Sequence, residues 1–403
     1  MYREYLKPAL KASDEVKQAA AEAVANAKSD EEKLEALIRY IHKNLRDLFD
    51  AQVTEAERMK IIKQMPKDRD RTAAEVFKSG IGTAGELNVL FAAMASSVGL
   101  EARPALVADK EDITFAPAMA DRYFLRNIDM AVNIGGTWRL FDVSQRLLPS
   151  NMLSWREEGM QALLADPKKP LFLESASSPP EASVSFRRAK FILAEDGSIE
   201  GDAHLQYTGH LALEHRYEME RQTAERRIEN LKEQVTKVFP DAEVSGLRIE
   251  NADDPEQPLK VHYHIKFSGY AQRTGKRILL QPLFFQRGDA PLFSATERRY
   301  PVAFPFAWKE DDEVTIDIPP GFVLDNPQVP GSISFGKPGA YELKVLKRGD
   351  SELICVRQLT FGKEGRTAFV PQIYPALKQV FEQIHNRDEM TLSLKQATVA
   401  EKK

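Results

Sequence analysis

Leu87, Leu90, Phe91, Met94 and Val98 recur at helical spacing just after the turn Gly80-Ile81-Gly82, and the run ends at Gly99. Three- and four-residue steps place these side chains on one helical face, and glycine readily takes the left-handed conformation that closes a helix. The chain then enters Ala102 to Val107, read as a strand, and Ile128 to Asp142, read as a hairpin whose halves meet at Gly135-Gly136. That dipeptide suits a primed turn. Helices followed by an antiparallel sheet give an α+β class.

Upstream, residues 13 to 48 read as two helices. Ser29-Asp30-Glu31-Glu32 has the form of a capping box, and Leu34, Leu37, Ile38, Ile41, Leu45 and Leu48 form one apolar stripe. A polar stretch at Lys67-Asp68-Arg69-Asp70 and a short helix from Thr72 to Lys78 lead to the glycine turn. At 403 residues the chain has room for two or three domains. Its formal charge of −4 gives no polyanion-binding surface, so nucleic acid is not an expected partner. No stretch has the roughly 18 uncharged apolar residues of a membrane helix, and the first thirty residues show no signal-type apolar core. The single cysteine, Cys355, precludes an internal disulfide and any multi-cysteine metal site. Neither a metal nor another cofactor is expected.

Texture changes near Pro179, after a Ser-Ser-Pro-Pro stretch. The expected organisation is a helical and sheet domain over 1–175, a β-rich, sandwich-like domain over 180–370, and a C-terminal helix and tail over 371–403. In the second domain Asp196-Gly197 joins a hairpin, and Leu259 to Phe267, Glu313 to Ile318, Ala340 to Leu346 and Glu352 to Phe361 add strands. One long helix is expected from Leu211 to Val238, with Glu and Arg along a solvated face. A final helix from Pro371 to Ile384 is expected to precede a fraying tail.

The stretch Arg71 to Leu148 resembles the transglutaminase-like core, whose nucleophile turn commonly runs Gly-x-Cys-Gly-Glu. Here it reads Gly82-Thr83-Ala84-Gly85-Glu86, followed by Gly99-Leu100-Glu101-Ala102 and by Ile134-Gly135-Gly136-Thr137-Trp138-Arg139-Leu140-Phe141-Asp142. Such enzymes need a thiol at a helix start, where the helix dipole stabilises the thiolate, a histidine on a strand, and a carboxylate on the next strand to orient it. The resemblance puts these stations at Ala84, Asn127 and Asp142, with Thr83, Gly85, Glu86 and Trp138 as cleft neighbours. Phe186 through the Asp196-Gly197 hairpin, Arg298-Arg299-Tyr300-Pro301-Val302 and the helix near Tyr374 resemble bacterial relatives with a β domain on each side of the core. Their N-terminal β domain has no counterpart in this sequence. An extracytoplasmic location is implied by the same analogy.

The histidines are His42, His204, His210, His215, His262, His264 and His385, so none between 43 and 203 can replace Asn127 through a shifted register. A knockout would explain Ala84 alone. Ala84 and Asn127 together point to natural loss. Cys355, within Leu353-Ile354-Cys355-Val356, reads as a buried structural thiol. His262-x-His264 reads as a half-exposed strand face, Glu86 and Asn88 as helix-start capping residues, and Phe284-Phe285 and Tyr300 to Phe306 as core. The expectation is a pseudoenzyme that binds or scaffolds a polypeptide or cell-surface polymer, with no active catalytic residue. The alternative is an inactivated form of a cysteine hydrolase or transferase, or a site built on Asp142 and Glu86.

Overall fold

In the computed structural model, which describes residues 6–112, 115, 118, 121–164, 170–325, 331–349 and 351–397, the chain forms two compact units, Met1–Ser177 and Ser178–Lys403. Five helices of the first unit start on a hydroxyl cap: α1 (Asp14–Ala23) on Ser13, α2 (Asp30–Asn44) on Ser29, α3 (Glu55–Gln64) on Thr54, α4 (Ala73–Ser79) on Thr72, and α5 (Ala84–Ser97) on Thr83. Reciprocal capping boxes form at Thr54/Glu57, Thr72/Glu75 and Thr83/Glu86. The expected box at Ser29 is half made. Ser29 accepts from the Glu32 amide, while the Glu32 carboxylate takes the Lys28 amide instead of that of Ser29.

Helix α5 is buried from Leu87 to Ala95 and is the centre of this unit. It packs with Val16, Leu37 and Ile41 of α1 and α2 and with Met130, Val132 and Phe141 of the sheet. The strands are β1 (Glu101–Ala108), β2 (Leu125–Ile134), β3 (Thr137–Phe141), β4 (Gln161–Leu164) and β5 (Leu171–Glu174), ordered β3-β2-β1-β4-β5 and antiparallel throughout. Gly135 and Gly136 both have positive φ, as the hairpin turn requires.

A short parallel pairing of Arg46–Asp47 with Ile81–Gly82 fixes the approach to α5. A Cβ on Gly82 would lie 2.8 Å from Val76 Cγ1 and 3.2 Å from Leu87 Cδ2. Gly82→Ala is therefore expected to cost about 1–3 kcal/mol through overpacking, read as a lowered thermal midpoint.

In the second unit, β6 (Val184–Leu193), β7 (Ile199–Tyr207), β8 (Glu243–Glu250), β9 (Leu259–Phe267), β12 (Trp308–Asp317), β14 (Ile333–Ser334), β15 (Gly339–Arg348) and β16 (Glu352–Phe361) make an eight-stranded sheet in the order β8-β9-β7-β6-β12-β16-β15-β14. Its one parallel pairing joins β6 to β12. A smaller sheet runs β10-β11-β17-β13, from Gln272–Thr274, Arg277–Leu280, Leu392–Gln396 and Phe322–Leu324 respectively. Both sheets share an apolar core with Leu231 and Val235, and with Leu377, Phe381 and Ile384.

Three expectations need correction here. The long helix is two, α6 (Gly209–Met219) and α7 (Ala224–Val238), because the Thr223 hydroxyl caps a new start by accepting from the Arg226 amide at 3.3 Å. The final helix, α8, spans Tyr374–Asp388, and the tail does not simply fray. Leu392 and Leu394, two residues apart, are buried on one face of β17, which pairs on both sides; residues beyond 397 lie outside the described part. Phe284 and Phe306 are core, as expected, but Tyr300 is 81% exposed.

Candidate functional site

Ala84 is the first helical residue of α5 and is exposed. The Thr83 hydroxyl accepts from the Glu86 amide at 3.3 Å, and Glu86 Oε2 accepts from the Thr83 amide at 2.8 Å. Glu86 does more than cap. Arg71, itself buried, donates from Nε to Glu86 Oε1 at 2.8 Å and from Nη2 to the Ile81 carbonyl at 3.1 Å. The glycine turn is thus braced from beneath by an ion pair. Gly85 lies against β2, and a Cβ there would sit 3.4 Å from Ile128 Cβ.

Asn88 is 1% exposed and corrects its expected capping role. Its Nδ2 donates to the Ile128 carbonyl at 2.9 Å and to Asp142 Oδ1 at 2.8 Å, while its Oδ1 accepts from the Val143 amide at 2.9 Å. One side chain therefore ties α5 to β2 and to the segment after β3. Asp142 Oδ1 also accepts from the Ser144 amide at 3.0 Å and hydroxyl at 2.7 Å. His42 reaches the same place from α2, its Nε2 donating to the Val143 carbonyl at 3.0 Å. It is the sole histidine of the first unit and stands beside the residue that follows Asp142.

Asp142 further belongs to a group with Asp129 and Glu157, whose ligating oxygens all lie within 4.8 Å of one another. Asp129 and Glu157 are buried, and Asp129 Oδ2 and Glu157 Oε2 have no hydrogen-bond partner. Burial, reinforced by the neighbouring Glu157 and Asp142 charges, pushes the Asp129 carboxyl well above the usual range. Glu157 is likewise pushed well above it, by burial first and then by Asp142 and Asp109, against a hydrogen bond with the Asn127 side chain. Asp47 is raised too, mainly by burial and partly by Asp142. Among the described residues, no Lys or Arg forms an ion pair with Asp129, Asp142 or Glu157.

The structure thus associates Asn127 and Asp142 with one acidic group. Ala84 is exposed at the helix start, and the strand residue against the first turn of α5 is Ile128. Trp138 is half-buried beside Ala105, Ala131 and Leu164, with the Arg103 guanidinium 5.1 Å from its ring. Asp129 and Glu157 escaped the sequence reading. A signal for Asp129 existed, an aspartate inside the apolar strand Ile128-Asp129-Met130-Ala131-Val132, whereas Glu157 lies in an irregular segment without periodicity.

Elsewhere, Cys355 is fully buried in the second unit, and burial pushes its thiol up to about 12. His262 and His264 share a half-exposed strand face, with His262 Nδ1 3.0 Å from His204 Nδ1 and His264 Nδ1 3.2 Å from Asp202 Oδ1.

Residues 17–123 match the family model described as the transglutaminase-like superfamily. That match takes in Ala84 and stops short of Asn127 and Asp142. Residues 276–394 match the model described as a domain of unknown function with solved structure, DUF3858. Among solved structures, the crystal structure of a putative protease from Parabacteroides distasonis ATCC 8503 is similar at 13% identity and a TM-score of 0.51. The likeness covers 97% of this chain and 57% of that one, so this chain spans a little over half that protein's length, and at this identity the likeness concerns the fold. No curated protein matches. Among the described residues, no helix is long and apolar enough to cross a membrane.

Proposed function

We propose that this chain, which belongs to the transglutaminase-like superfamily, uses its first unit to bind polypeptide and does not carry out thiol-dependent acyl transfer. The observation that carries the reading is Ala84 at the start of α5, where the family's chemistry needs a sulfur. A methyl group can neither attack a carbonyl nor hold an acyl group. The only thiol, Cys355, is buried in the other unit and strongly disfavours ionisation. Glu86 is not a free base in this account, because the cap and Arg71 engage both of its oxygens.

Polypeptide is favoured as ligand because the similar solved structure is described as a putative protease, and a substrate groove can outlast its nucleophile. An extracytoplasmic setting belongs to the same reading, through the resemblance to bacterial proteins that carry export signals. Fluorescence anisotropy with fluorescein-labelled unfolded casein tests the ligand class. Saturable binding that Ala84→Trp weakens at least about tenfold, with the thermal midpoint unchanged, is the expected result, since an exposed position can be filled without disturbing the core. Binding to peptidoglycan sacculi and not to casein would move the ligand to a cell-surface polymer.

The second reading is an inactivated cysteine hydrolase or transferase. It is favoured by the intact capped helix start and by Asp142 standing near it through Asn88. That reading requires Ala84→Cys combined with Asn127→His to produce amide hydrolysis. No turnover is expected from the double variant, because Ile128 faces the first turn of α5 and residue 127, its neighbour on the strand, points to the opposite face.

A further inference from the structure

We infer that Asp129, Asp142 and Glu157 form a binding site for a single hard divalent cation of calcium's size. This goes beyond the reading of the helix start and stands whether or not the chain binds polypeptide. Carboxylate oxygens all within 4.8 Å of one another fit around one ion, because oxygens on opposite sides of a calcium ion at 2.3–2.6 Å are about 5 Å apart. Acidic groups often cluster without a ligand. The unpartnered oxygens set this cluster apart. Asp129 is 1% exposed and Glu157 4%, yet Asp129 Oδ2 and Glu157 Oε2 receive no hydrogen bond. A buried carboxylate oxygen without a donor is costly, and no Lys or Arg pairs with it among the described residues.

The partners that are present leave room for an ion. All the donors given for Asp142, from Asn88 and Ser144, fall on Oδ1, so that its Oδ2 can ligate. An all-oxygen donor set without cysteine or histidine selects calcium, magnesium or manganese over zinc or copper. Asp142 is half-buried while the other two are buried, so the ion's path runs past Asp142. The ligands come from β2, from the residue after β3 and from the loop before β4, so an ion would tie three chain segments together.

Isothermal titration calorimetry on the full chain, freed of metal by a chelator and titrated with calcium chloride, tests the inference. One saturable event per chain is expected, with a rise in thermal midpoint at millimolar calcium and weaker responses to magnesium. Asp129→Asn and Glu157→Gln are each expected to weaken calcium at least about tenfold. In chelator these variants should be as stable as the parent or more so, since each removes a buried carboxyl with an unpartnered oxygen and a like-charged neighbour; that result separates lost binding from misfolding. Tighter binding of magnesium or manganese would overturn the size assignment. No saturable heat and no midpoint shift with any of the three ions would overturn the site, as would calcium binding unchanged in both variants.

Discussion

Replacing Arg357 with alanine is expected to destabilise the second unit by about 3–5 kcal/mol, the cost of leaving buried charges without their partner. On β12, Asp312 stands in register with Arg187 of β6 on one side and Arg357 of β16 on the other. Arg187 donates to both Asp312 oxygens, at 2.7 and 2.8 Å. Arg357, 4% exposed, donates from Nη1 to Glu310 Oε2 at 2.6 Å and from Nε to Asp388 Oδ1 at 2.8 Å; Asp388 also accepts the Tyr341 hydroxyl at 2.7 Å. One guanidinium thus joins β12 and β15 to the end of α8. For a domain of this size, the loss corresponds to a fall of roughly 10 °C in thermal midpoint.

The same network has a pH signature. Burial alone would raise Glu310, but the Arg357 and Arg187 guanidiniums outweigh it and hold its carboxyl at about 2. A carboxyl lowered on folding stabilises above its unfolded pKa, and that contribution fades as pH falls toward 2. Asp388 acts in the opposite sense. Its burial outweighs Arg357 and keeps its carboxyl raised, so its contribution falls as pH rises. In Arg357→Ala, Glu310 loses its largest attractive partner, and the acid unfolding limb should move to higher pH. Urea midpoints measured between about pH 2 and 6 would show this, and unchanged limbs would refute the assignment.

Asn88→Ala is expected to cost the first unit about 2–4 kcal/mol, because it strands buried backbone groups as well as removing a side chain. The Val143 amide loses its acceptor, the Ile128 carbonyl loses a donor, and Asp142 loses one of three hydrogen bonds. The damage should be local as well as global. Hydrogen exchange at the Val143 amide is expected to accelerate beyond what the overall loss of stability explains. A variant with normal Val143 protection would show that Asn88 does not tie the helix to the hairpin.

Periodicity carried most of the architecture. The stripe along α2, the apolar run of α5 closed by Gly99, and the two glycine-turn hairpins could all be read because spacing alone reports a helical face or an alternating strand. Failures came where a single local residue overrides the pattern. Thr223 splits a continuous helical texture, and Leu392-x-Leu394 is too short a repeat to separate a strand from a polar tail. The site was less legible than the fold. Ala84 and Asp142 lie at positions that motif spacing can identify, but the acidic group draws on residues 129, 142 and 157, brought together by strand pairing and an irregular loop. His42, 101 residues before Val143, could not have been placed there by any local pattern.

Intact-mass analysis of acid-quenched reactions tests the central claim most directly. Native protein and a Cys355→Ser variant would each be incubated with glutamine-containing peptides, a primary amine and an activated ester substrate. Both are expected to keep the unmodified mass, with no amide product released, because the position where the family's chemistry needs a thiol carries only the methyl group of Ala84. An acyl adduct or amide turnover that persists in Cys355→Ser would contradict the account.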